Sequence, residues 1–92
     1  MILGVMRISI YIPEAGSLKA KRFVIKSVKD KIKNKFNVSL AEEASDLWQR
    51  VELYAACIST DTQHVNSTLE NVKNMIDKDP QIEILDYSLE LS

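Results

Sequence analysis

The sequence is poor in the residues that small chains use for cross-links, metal sites and sharp loops. Cys57 is the only cysteine and His64 the only histidine among 92 residues. One thiol cannot close an internal disulfide, and a lone cysteine in an apolar run packs as a small hydrophobe. That usage fits a reducing, cytoplasmic setting. His64 has no second histidine, no further cysteine and no carboxylate at close helical spacing, so it reads as an exposed surface residue and not as a metal ligand. Two glycines and two prolines leave little room for long structureless loops. No Gly-rich loop, P-loop or nucleophile elbow is present. Glu42 and Glu43 are adjacent in sequence and point to opposite faces of a strand, so they make no acid–base pair. The sequence therefore predicts no catalytic residue, no metal and no cofactor. No apolar run reaches the length of a membrane span. Met1 to Ile12 is apolar, but it has no basic leading region, is interrupted by Arg7 and precedes no small-residue cleavage site. It does not read as a signal peptide.

What is present is an ordinary globular composition, 46% hydrophobic and 27% charged, in a chain sized for one domain spanning 1–92. Met6, Ile8, Ile10 and Ile12 alternate, which predicts a first strand over Met1–Ile12. Pro13 to Gly16 is a turn, and Ser17 is placed to cap a helix running to about Asn34. Leu18, Ile25, Val28 and Ile32 form that helix's apolar stripe. Phe36–Glu43 and Arg50–Ser59 read as a second and a third strand. The third is apolar on both faces, as a central strand should be. Thr60 followed by Gln63 matches a capping box for a second helix over Asp61–Lys78, which Asp79-Pro80 ends. Gln81–Leu91 is the last strand. The order βαββαβ predicts an α+β, ferredoxin-like domain: a four-stranded antiparallel sheet with two helices on one face.

Charge is distributed unevenly. Ser17 to Lys35 holds eight basic residues and one acid, a net +7, while the rest of the chain carries four basic and twelve acidic residues, a net −8. At about 100° per residue, Lys19, Arg22, Lys26, Lys29 and Lys33 share an arc of about 80° beside the apolar stripe. Phe23 projects near Lys19 and Lys26, away from the stripe, where an aromatic ring can stack on a base. The ridge predicts an anion-binding surface for a polyphosphate backbone, RNA above all. The plain alternative is a solvated lysine face. Lys21 points into the apolar arc, to snorkel to the sheet edge or to pair with Glu42 or Glu43.

The far side of the sheet carries Leu3, Val5 and Tyr11, more apolar than a solvated face requires. A homodimer through that face would cover them. Trp48, between the second and third strands, is either a cap over the core or an interface anchor. Tyr11 and Tyr54 could offer bases a platform on the open sheet, but the basic charge lies on a helix and the third strand lacks the RNP1 pattern. A protein–protein or regulatory homodimer without a nucleic-acid role is the alternative function.

Three stretches resemble a known family: Ser17-Leu18-Lys19-Ala20-Lys21-Arg22, Lys35-Phe36-Asn37-Val38-Ser39-Leu40-Ala41-Glu42 and Asp46-Leu47-Trp48-Gln49-Arg50. With the opening Ile2-Leu3-Gly4-Val5 strand, they are similar to the YlxP-like bacterial family of unknown function. The resemblance covers essentially the whole chain and implies a ferredoxin-like fold. Genes of that family commonly lie beside those for translation initiation and ribosome maturation factors. That implies a partner in ribosomal RNA or a ribosomal particle, and it names no catalytic residue. Ala20 stands where such motifs commonly have glutamate, and Phe23 where a polar or basic residue is common.

Overall fold

A computed structural model describes residues 1–43 and 49–92. The elements follow the order β1 (Ile2–Tyr11), α1 (Leu18–Lys35), β2 (Ser39–Glu43), β3 (Arg50–Ser59), α2 (Thr62–Asp77) and β4 (Glu83–Leu91). The four strands form one antiparallel sheet in the order β2-β3-β1-β4. This is the ferredoxin-like arrangement, with β1 and β3 central and both helices on one face.

Alternation decides which side chains enter the core. Met6, Ile8 and Ile10 of β1 face Ala55, Leu53 and Val51 of β3 in register, and all six are buried beneath the helices. Val24, Ile25, Val28 and Ile32 of α1 and Val65, Leu69, Val72 and Ile76 of α2 close the core from above. Cys57 is buried among them. Each α2 residue of this stripe follows the last by three or four positions, the spacing that lines one face of a helix.

Local chemistry sets the helix ends. Ser17 has extended backbone, and its Oγ accepts the Ala20 N–H at 3.1 Å. This satisfies one of the donors a first helical turn leaves unpaired. Lys33 and Lys35 lie in the last turn of α1, where cations suit the macrodipole. At α2 the cap is Asp61 and not Thr60: its carboxylate accepts the Gln63 N–H at 3.0 Å. An aspartate one residue on does the same job with a charged acceptor, so the predicted capping box does not form.

Two strand starts also move, and one residue of the predicted stripe lies open. β2 begins at Ser39, paired with Ala56, instead of at Phe36. Phe36 and Val38 precede it, packed against the core but outside the ladder. β4 begins at Glu83 instead of Gln81, because Asp79 accepts the Ile82 and Gln81 amides in a turn. Leu18 is 40% exposed, since it stands in the first turn, beyond the reach of the sheet.

Candidate nucleic-acid interface

The buried stripe of α1 fixes where its cations go. Lys19, Arg22, Lys26 and Lys33 are exposed, as the helical spacing predicts. They span about 21 Å of helix at 1.5 Å per residue. Lys19, Arg22 and Lys33 make no ion pair among the described residues, whereas Lys26 pairs with Asp30 at 3.0 Å, one turn on. Lys29 sits at the edge of the ridge nearest the sheet. Its Nζ meets Glu42 Oε1 of β2 at 3.0 Å and is half-buried. It is thus partly committed to holding α1 onto the sheet edge.

Phe23 is 75% exposed. It rises from the same surface and borders a shallow hollow formed by Ile12, Ala15, Ala20 and Val24. An aromatic ring left this open forfeits its burial free energy, roughly 2–3 kcal/mol for a full side chain. A ring so placed among cations is available to an incoming base.

Lys21 is buried, and one of its partners is the Arg50 carbonyl, which accepts from Nζ at 3.3 Å. The expected alternative partners are otherwise engaged. Glu42 holds Lys29, and Glu43 accepts from the Tyr54 hydroxyl at 2.9 Å. Lys21 therefore ties α1 to the start of β3.

Sequence spacing on one helix could not show a second basic strip. Lys31 and Lys35, on the opposite flank of α1 from the ridge, line a groove with Lys78, Met75 and Pro80 from the end of α2. The groove is open and runs between the two helices. It widens the cationic surface from one helix to both, with Asp79 its one acid. The signal lay in three lysines distant in sequence, which only the packing of the two helices brings together.

The open face of the sheet is different in kind. Arg7 Nη1 donates to Ser9 Oγ (2.8 Å) and Glu52 Oε2 (3.2 Å), and Nη2 donates to Asp86 Oδ2 (2.9 Å). Ser9 Oγ donates to Glu52 at 2.7 Å. This network crosses the middle of the face and splits the predicted apolar residues. Leu3 and Val5 lie at one end, opposite Ile58 and Ala56. Tyr11 lies at the other, between Arg50 and Glu83. Trp48 lies outside the described residues. Register places Glu43, Glu52, Glu83, Asp86 and Glu90 on this face against Arg7 and Arg50, so its charge opposes a phosphate backbone. Tyr54, held by Glu43, has its hydroxyl pKa raised chiefly by that hydrogen bond.

The same network makes a pH prediction. The hydrogen bond from Arg7, and then one from the Tyr87 backbone, hold the Asp86 carboxyl below its usual pKa. A depressed carboxylate stabilises the fold above its unfolded pKa, near 3.9, and loses that contribution as pH falls through the lower folded value. Asp86→Asn should therefore melt below wild type at pH 7, with the gap closing as pH drops below about 4. Thermal melts of both proteins from pH 7 to pH 2 check this.

Among the described residues no helix is long and apolar enough to cross a membrane, and no cluster of histidine, cysteine and carboxylate could hold a metal ion. The family model for a protein of unknown function, DUF503, matches residues 3–89. The uncharacterized protein YlxP of Bacillus subtilis (strain 168) is 37% identical over 83 residues, covering 89% of this chain and 90% of that protein. Among solved structures, the de novo designed protein Foldit4 superposes with a TM-score of 0.56 at 19% identity, over 99% of this chain and 94% of that one. The de novo designed protein LFR1 1, with a ferredoxin fold, superposes with a TM-score of 0.51 at 10% identity, over 100% of this chain and 84% of that one. These two likenesses concern the fold alone.

Proposed function

We propose for this chain, which belongs to the DUF503 family of proteins of unknown function, a role as a non-catalytic RNA-binding module that uses α1 as its nucleic-acid surface. The observation that carries the reading is Phe23, 75% exposed and one helical turn from both Lys19 and Lys26, which are exposed on the same side of α1. Cations alone describe many solvated helices. Cations around an open aromatic ring supply both elements of single-strand recognition, charge for the backbone and a stacking surface for a base. Unpaired RNA segments, such as a ribosomal particle exposes, present both. Lys19, Arg22 and Lys33 supply phosphate contacts, and Lys26 joins them by exchanging Asp30 for a phosphate. The acidic open face of the sheet orients the encounter, because it repels the polymer that α1 attracts.

The test is the affinity for a short single-stranded RNA, read by fluorescence anisotropy. Stacking contributes about 1–3 kcal/mol per base, so Phe23→Ala should weaken binding between about 5-fold and 150-fold. Phe23→Tyr should retain most of the affinity, because the ring survives. Equal affinity for wild type and Phe23→Ala would remove the ring from the site. Capture of a protein partner that persists after nuclease treatment would favour the protein-binding alternative.

A further inference from the structure

The two edges of the sheet are unlike. β2 is five residues long and ends in Glu42 and Glu43, a short, charged edge of the kind that resists further pairing. β4 is nine residues long, and its acids Glu83, Asp86 and Glu90 all lie on the open face of the sheet, which leaves its helix-side residues uncharged. The β1 ladder shifts register between Ser9 and Ile10, which leaves Leu85 unmatched, and runs regularly from Asp86 onward. Leu3 and Ser92 exchange both backbone hydrogen bonds, each at 2.9 Å. Pairs of this kind alternate along an antiparallel ladder. Glu90, Ser88 and Asp86 therefore turn their backbone groups toward β1, and Tyr87, Leu89 and Leu91 turn theirs outward, away from the sheet.

The same three residues carry an apolar strip. They pair with Ile8, Met6 and Gly4, so they lie on the helix side of the sheet. Yet α2 lies across β1 and β3 and only grazes β4. Tyr87, Leu89 and Leu91 are left 48%, 37% and 43% exposed. Lys73 of α2 lies over the Tyr87 ring at 4.1 Å and covers one end of the strip. Outward backbone groups and half-exposed apolar side chains on the same residues call for another strand, not a flat surface.

We propose that this strand is β4 of a second copy, paired antiparallel about a two-fold axis at Leu89 to make one continuous sheet. β4 suits itself in this register. Leu89 meets Leu89 and Tyr87 meets Leu91, with helices of both copies on the same side. On the other face Ser88 meets Glu90 and Asp86 meets Ser92, so no two carboxylates stand opposite each other. A shift centred on Ser88 sets Asp86 against Glu90, and one centred on Tyr87 brings the Leu85 bulge into the ladder. The interface leaves the α1 ridge open, and it stands whether or not α1 binds RNA.

Sedimentation velocity across a range of concentrations, combined with residue-resolved amide exchange, tests this. The expected result is a concentration-dependent dimer in which the Tyr87, Leu89 and Leu91 amides exchange slowly. Leu89→Lys should raise the dimer dissociation constant at least about tenfold by setting two cations face to face. Leu91→Lys, near the chain end, reports the same effect should Leu89→Lys fail to fold. A monomer at every concentration overturns the proposal. So does a dimer in which those three amides exchange freely, which would place the contact elsewhere, as on the open face of the sheet. So does a dimer whose dissociation constant a folded lysine variant leaves unchanged.

Discussion

Replacing Arg22 and Lys33 together with glutamate is expected to weaken binding to single-stranded RNA about a hundredfold at roughly 0.15 M salt. Each phosphate contact contributes a slope of about 0.7 in log affinity against log salt for single strands. The double reversal removes two attractive charges and installs two repulsive ones, a swing of four. Arg22 and Lys33 are the informative pair because both are exposed and make no ion pair among the described residues. Lys26 and Lys29 would confound the result, since their loss also strands Asp30 and Glu42. Arg22→Glu is an ordinary surface change, within about 0.5 kcal/mol, while Lys33→Glu also replaces a cation in the last turn of α1, a cost of about 1 kcal/mol, so the protein should stay folded with its melting temperature lowered by less than about 10 °C. Arg50→Glu is the matched control. The Arg50 side chain lies on the open face of the sheet, away from the helix layer that carries the ridge. Its reversal should change affinity several-fold at most. An equal loss from Arg50→Glu would mean that net charge, and not the helix, governs binding.

Gly4→Ala is expected to destabilise the domain by about 2 kcal/mol, a fall in Tm of roughly 10 °C for a chain of this size. The cause is space and not backbone conformation, since neither glycine has positive φ. A Cβ on Gly4 would press against Val65 Cγ1, stand 2.8 Å from Leu69 Cδ1 and 3.2 Å from Leu91 Cδ2. Val65 and Leu69 are fully buried, so they cannot yield without lifting α2 from β1. Gly4→Val should cost more. Gly16→Ala, with nothing within 4 Å of its Cβ, should change stability by less than about 0.5 kcal/mol. Trimming the obstruction should rescue part of the loss: Gly4→Ala combined with Val65→Ala should be more stable than the sum of the two single changes predicts. Urea or thermal denaturation of the four proteins checks this.

The role of Gly4 shows what a sequence hides. On the page it is a small residue inside an apolar strand. Its neighbours are set by α2, some sixty residues on. What depends on local periodicity was legible. β3 occupies Arg50–Ser59 as alternation predicts, and the core face of β1 is the even-numbered series. The exposure of Phe23 also follows from its angle on the helix. What depends on contacts between elements was not. Lys29 looks like any other ridge lysine until Glu42 of β2 is seen beside it. Lys31, Lys35 and Lys78 belong to one groove only because the ends of two helices pack together. Leu89 and Leu91 alternate as buried residues should, yet α2 only grazes the edge strand and leaves them half open. The apolar residues of the open face were each placed correctly, but the Arg7 network that separates Tyr11 from Leu3 and Val5 joins side chains from three strands.

The proposed phosphate-binding role of α1 is tested by the salt dependence of the wild-type affinity for single-stranded RNA, followed from about 50 mM to 300 mM salt. Three or four contacts, from Lys19, Arg22, Lys33 and the exchangeable Lys26, predict a log–log slope between about −2 and −3. The Arg22→Glu, Lys33→Glu protein should show a slope shallower by at least about 1.4. A flat wild-type slope, or no binding at 50 mM salt, would rule out that role for α1.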